Sequence, residues 1–128
     1  MRLLLDTHAL IWWIGGDEKL GSEAQAAIAD AKNEILISAV SALEVTTQFR
    51  LGKLVEAERL AQDFEAIIEE QGFASLSISI RHATLAGGLQ ISHKDPFDRL
   101  LIAQAIVENL ILVTNEAVFD DFGVSRLW

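Results

Sequence analysis

The chain has 128 residues, a length that fits one domain built around one core. Hydrophobic residues make up 51%, so a well-buried sheet needs no staple, and the lack of cysteine excludes a disulfide framework and a thiolate metal site. A formal net charge of −9 argues against broad, sequence-independent nucleic-acid binding, but not against a nuclease, because hard divalent cations require clustered acids.

Residues 2–6, Arg-Leu-Leu-Leu-Asp, read as a short buried strand ending in an acid. The leucine run is too short for a signal segment and nothing approaches a membrane-spanning length, so a soluble, cytoplasmic protein with no membrane association is expected. Thr7 is placed as the cap of a helix through His8, Leu10, Ile11, Trp12 and Trp13, ended by Gly15 and Gly16. Adjacent Trp12 and Trp13 cannot share one helical face, so one is expected in the core and the other partly exposed. Ser22 opens a second helix with Ala24, Ala27, Ile28 and Ala31 on one face. Residues 35–38 read as the second strand. Ser41-Ala42-Leu43-Glu44 matches a capping box that starts the next helix, which closes near Leu51 and Gly52.

Residues 56–71 make the cleanest amphipathic helix, with Ala57, Leu60, Ala61, Phe64, Ile67 and Ile68 in one stripe and Gly72 as terminator. A third strand is predicted over 75–79, then a short helix over 80–86 with a break at Gly87 and Gly88. Asp95 can be the N-cap and Pro96 the first residue of a helix running to about Glu108, apolar on most sides through Phe97, Leu100, Leu101 and Ile102. Residues 110–114 read as a fourth strand and 124–127 as a fifth. Repeats, low-complexity tracts and linkers are absent, so residues 1–128 are read as a single domain.

Strands alternating with helices predict a parallel sheet with helices on both faces, whose binding crevice lies beyond the carboxyl ends of the strands. Asp6 ends the first strand at that edge. Glu44 lies one helical turn beyond the second strand. A crossover helix must run back down the sheet, which places Asp98, with Asp95 nearby, at the same edge. The fourth strand climbs again and delivers Asn115 and Glu116 after Thr114. Acids distant in sequence are thereby collected, and they would repel one another unless a cation sat between them. All-oxygen ligation fits Mg²⁺ or Mn²⁺ better than zinc, and such ions serve phosphodiester cleavage.

Structural readings stand beside these. Asp6 could be an ordinary helix cap, and Glu44 could reach back to its own N-cap, in which case it would bind a metal poorly. Thr7 and Thr114 read as caps or as donors behind the acids. His8 and His93 read as structural or substrate-positioning groups, since a metal site needs no separate general base. Arg99, a cation in a first helical turn, opposes the helix dipole and calls for compensation by Asp95 or another acid, with phosphate contact the rarer role. Arg50, Lys53 and Arg59 form the densest basic group, most simply a solvated helix end.

Leu5 to Leu10, Ser38 to Glu44, Arg50 to Leu54, the block from His93 to Ala105 and Leu112-Val113-Thr114 together resemble the PIN-domain ribonucleases, and among them the VapC-type toxins of toxin–antitoxin pairs. The resemblance runs essentially the whole chain and is most specific in Asp95-Pro96-Phe97-Asp98-Arg99-Leu100-Leu101-Ile102-Ala103-Gln104-Ala105. It implies a three-layer α/β/α PIN-like domain with a central, mainly parallel sheet of four to five strands. It maps the family's acids onto Asp6, Glu44 and Asp98, with Glu116 in the place of a fourth acid that usually follows Thr-Arg; here the run is Thr114-Asn115-Glu116. Leu43 stands where close relatives often carry Trp. The resemblance further implies Mg²⁺- or Mn²⁺-dependent cleavage of RNA, a homodimer, and inhibition by a cognate antitoxin. Two rivals are weighed. A phospho-receiver domain expects paired acids after the first strand and a Lys after the last core strand, which this chain lacks. A non-catalytic acidic module docking a basic partner remains the alternative.

Overall fold

A computed structural model describes residues 1–92 and 95–128; His93 and Lys94, and with them the reading of His93, lie outside the described residues. The strands are β1 (Arg2–Leu5), β2 (Glu34–Ser38), β3 (Ala74–Leu76), β4 (Ile111–Val113) and β5 (Arg126–Leu127). They form one sheet in the order β3-β2-β1-β4-β5, and every pairing is parallel. The helices are α1 (Thr7–Gly15), α2 (Ser22–Ala29), α3 (Ala39–Arg50), α4 (Glu58–Gln62), α5 (Phe64–Glu70), α6 (Ile80–Gly88) and α7 (Pro96–Glu108). Single 3-10 segments cover Val55–Ala57 and Ala117–Phe122. This is the expected α/β/α architecture with five parallel strands.

Alternation along the strands sends successive leucines to opposite faces. Leu3, Leu5, Ile35 and Ile37 join Leu10, Ala24, Ile28, Leu60 and Ile67 in one core. Leu4, Leu36 and Leu112 join Val40, Leu101, Ile102 and Phe119 in the other. The buried central strands therefore carry unbroken apolar runs, as parallel strands covered on both faces require. The chain steps outward from β1 to β2 and β3, then returns to the other side of β1 as β4. The strand order reverses between β1 and β4, where such sheets open their crevice.

Several local expectations need correction. The stripe of residues 56–71 is real, with Ala57, Leu60, Ile67 and Ile68 buried, but the helix is not continuous. Asp63 adopts φ −131 and ψ 40, which separates α4 from α5. Its carbonyl still accepts from the Ile67 N–H at 3.0 Å, so the chain kinks without losing its buried face. α2 ends at Ala29, leaving Ala31 beyond the helix and exposed. The strand expected over 75–79 is the shorter Ala74–Leu76 at the sheet edge, because Ser79 caps α6. α6 also runs on through Gly87 and Gly88 where a break was expected. Neither Trp12 nor Trp13 is fully buried. Trp12 meets Trp128 edge-on at 5.7 Å, and Trp13 donates from Nε1 to Gln71 at 2.9 Å, so each keeps a partly wet side. Among the described residues no helix is long and apolar enough to cross a membrane.

Candidate metal centre

β1 hands the chain directly to Asp6. Its N–H still bonds the Val113 carbonyl at 3.0 Å, which fixes it at the reversal between β1 and β4. Its extended backbone makes it the N-cap of α1, and its Oδ1 accepts from the Ala9 N–H at 2.7 Å. The expected cap, Thr7, is instead the first helical residue, which turns its hydroxyl toward α3. Asp6 is only 6% exposed, and its carboxyl is pushed up to about 6, first by burial. The Glu116 charge adds to that rise, while the Thr114 hydroxyl, the Ala9 N–H and His8 oppose it.

The capping-box reading of Ser41 and Glu44 is also corrected. Ser38 is the N-cap of α3, its Oγ accepting from the Val40 N–H at 3.0 Å, so the helix begins three residues earlier. Ser41 and Glu44 then lie inside α3, one turn apart. Glu44 is half-buried, and its Oε1 accepts from the Thr7 hydroxyl at 2.5 Å. Burial pushes its carboxyl above the usual range, opposed by the Thr7 bond; the Asp95 and Asp98 charges add to the rise and His8 opposes it.

Asp95 caps α7 as expected, accepting from the Phe97 N–H at 2.9 Å and the Asp98 N–H at 3.4 Å. Asp98 is half-buried in the first turn, close enough for its charge to act on Glu44. Thr114 is buried after β4, bonds Asp6 through its hydroxyl, and accepts from the Glu116 N–H at 3.1 Å. Glu116 itself is exposed at the start of the 3-10 turn.

The sequence-predicted acids thus arrive at one sheet edge in two groups. Asp6 and the Glu116 main chain flank the Thr114 hydroxyl, and the charges of Asp95 and Asp98 act on Glu44, with His8 acting on both Asp6 and Glu44. Among the described residues, no three His, Cys, Asp or Glu side chains converge tightly enough to hold a metal ion.

Arg99 turns elsewhere. The described bonds of its guanidinium run to main-chain carbonyls: Ala86 at 2.9 Å, Leu89 at 2.8 Å, Ile91 at 3.3 Å and Gly87 at 3.4 Å. It closes the carbonyl-rich end of α6, whose last turn has no helical partners, and so compensates its own unfavourable place in α7. Of the basic group, Arg50 ends α3 opposite the acids, and Arg59 pairs with Glu70 on the surface at 3.8 Å. Sequence reasoning missed Ser41 as a site residue, having spent it on a cap. Its spacing of three from Glu44, with Ser38 available upstream, was the signal.

A five-stranded parallel sheet in this order, with acids gathered beyond β1, β2 and β4, defines a class of α/β fold with an acidic sheet edge. A family model for the PIN domain matches residues 3–124. Ribonuclease VapC22 of Mycobacterium tuberculosis is 32% identical over 119 residues, spanning 89% of this chain and 86% of that protein. The chain belongs to the PIN-domain family, among its VapC-type members. Two solved structures share the fold. VapBC2 from Rickettsia felis, bound to a DNA fragment from its promoter, superposes with a TM-score of 0.68 at 19% identity, covering 98% of this chain and 97% of that one. VapBC-1 from nontypeable Haemophilus influenzae gives 0.64 at 14% identity, covering 98% and 96%.

Proposed function

We propose that this chain is an Mg²⁺- or Mn²⁺-dependent endoribonuclease that hydrolyses RNA phosphodiester bonds, and that it is the toxin of a toxin–antitoxin pair. The observation that carries the reading is the collection of Asp6, Glu44, Asp98 and Glu116 at one sheet edge, with Asp6 and Glu44 held above the usual carboxylate range by burial and by neighbouring negative charge. Such an arrangement is costly without a cation and is eased by one. The donor set fits a hard divalent ion, being all oxygen with no cysteine in the chain. Asp6, Glu44 and Asp98 would hold the ion and Glu116 would complete the set. When bound, such an ion lowers the pKa of water and steadies the charge that builds on a phosphodiester.

The protein's own groups set the stage for that chemistry. The Ala9 N–H occupies Asp6 Oδ1, and the Thr7 hydroxyl occupies Glu44 Oε1, so each carboxylate is held in one orientation. Thr114 holds Asp6 and the Glu116 main chain together. The similarity to a protein named as a ribonuclease supports RNA as substrate, and the fold shared with toxin–antitoxin complexes supports a cognate antitoxin that inhibits the chain. A homodimer in the cytoplasm completes the proposal. A second reading, an acidic module of this fold docking a basic partner, draws on the lack of a convergent trio among the described residues. Incubation with a broad RNA panel separates the two. Cleavage that needs Mg²⁺ or Mn²⁺, stops with EDTA and is lost in Asp98→Asn supports the nuclease; no metal-dependent cleavage supports the docking module.

A further inference from the structure

Three polar side chains from two helices meet beside the acids. Ser41 is 0% exposed and Thr7 3% exposed, so both hydroxyls must find partners inside the protein. Thr7 Oγ1 lies 2.5 Å from Glu44 Oε1 and 3.1 Å from Ser41 Oγ. A threonine hydroxyl has one proton, and an ionised carboxylate only accepts. The Thr7 proton therefore goes to Glu44, and the longer contact is made by the Ser41 proton donated to Thr7. We infer that Ser41, acting through Thr7, is a positioning residue that holds the Glu44 carboxylate beside the turn that carries Asp6.

Local chemistry supports this direction. A serine inside a helix usually returns its proton to the carbonyl one turn back. The described bond of Ser41 runs instead across the α1–α3 contact to Thr7. Ser41 and Glu44 stand one turn apart on the same side of α3, so Thr7 can touch both. Thr7 directly follows Asp6, whose carboxylate is pinned by the Ala9 N–H. The relay thus ties the turn that carries Asp6 to the turn that carries Glu44, and so sets the distance between acids delivered by two different strands. Each bond polarises the next, which strengthens the Thr7 grip on Glu44 beyond what one hydroxyl gives.

The consequence for metal affinity rests on the function proposed above. The test is a Mn²⁺ titration of the full chain, Ser41→Ala, Thr7→Val, Thr7→Ser and the Ser41→Ala/Thr7→Val double variant, with RNA cleavage and thermal unfolding measured alongside. Partners lying behind metal ligands typically change affinity by about tenfold or more. Thr7→Val should weaken Mn²⁺ by about that factor, Ser41→Ala by roughly a third of it, and Thr7→Ser should restore parental affinity. Because Ser41 acts through Thr7, the double variant should match Thr7→Val alone. Parental Mn²⁺ affinity in a well-folded Ser41→Ala, or additive losses in the double variant, overturns the inference and leaves the nuclease reading standing. If the parent cleaves RNA without binding Mn²⁺, the metal reading falls, and the same cycle in kcat/KM decides the relay. A parent that neither binds Mn²⁺ nor cleaves RNA overturns both.

Discussion

Replacing Asp6 by Asn should stabilise the cation-free protein at neutral pH. Burial lifts the Asp6 carboxyl from an ordinary 3.8 to about 6. The folded state then holds the Asp6 proton more tightly than the unfolded state. Its contribution is fully present below about pH 4 and is lost as pH rises through 6. At about 1.4 kcal/mol per pH unit, the gap corresponds to about 3 kcal/mol at most, a large share of a small domain's stability. Asn can still accept the Ala9 N–H through its side-chain oxygen, so the cap survives. Denaturant unfolding in EDTA between pH 4 and pH 7 should show the parent losing stability over that range. Asp6→Asn should lose markedly less, keeping the slope that Glu44 contributes in the same direction. Parallel curves for parent and variant would refute the claim that Asp6 is a charge held at a cost.

Mn²⁺ added to the parent at pH 7 should reverse that loss, with about 2.7 kcal/mol of stabilisation at one hundred times its dissociation constant, read as a rise in Tm that Asp98→Asn diminishes. Arg99→Lys cannot reach the four carbonyls that the guanidinium gathers, and should cost about 1.5–3 kcal/mol in denaturant unfolding. Gly21→Ala would put a Cβ 2.7 Å from the Trp128 ring and 2.9 Å from its main-chain carbon. That overlap should cost about 1–3 kcal/mol and alter Trp fluorescence as the end of the chain is displaced from Trp12.

The sheet and its order of helices were legible because a parallel strand buried on both faces announces itself as an apolar run, as in Leu3-Leu4-Leu5 and Ile35-Leu36-Ile37. The Asp95-Pro96 start of α7 was legible because cap and first-turn chemistry is local. What failed were choices between neighbours of similar type. Ser38 and Ser41 can both cap, and the sheet decided by ending β2 at Ser38, which leaves Ser41 inside the helix. Asp6 and Thr7 can both cap, and the Ala9 N–H settled on Asp6. Asp63 kinks a stripe whose apolar spacing gives no hint of a break. Arg99 finds carbonyls that lie 8 to 13 residues upstream, a tertiary answer to a charge whose sequence neighbours offered Asp95. His82 went unnoticed because the box it forms with Ser79 uses an imidazole where Glu or Gln is usual. Topology gave the acids their edge of the sheet, since each strand end or helix start fixes it, while the choice of Glu44 and Asp98 over a plain capping role rested on the PIN resemblance.

Crystals grown with Mn²⁺ and measured at its absorption edge test the central claim most directly. The account predicts an anomalous peak about 2.0–2.3 Å from carboxylate oxygens of Asp6 and Asp98, with Glu44 drawn in directly or through water. A peak elsewhere, or none at these acids in a protein that still cleaves RNA, would contradict it.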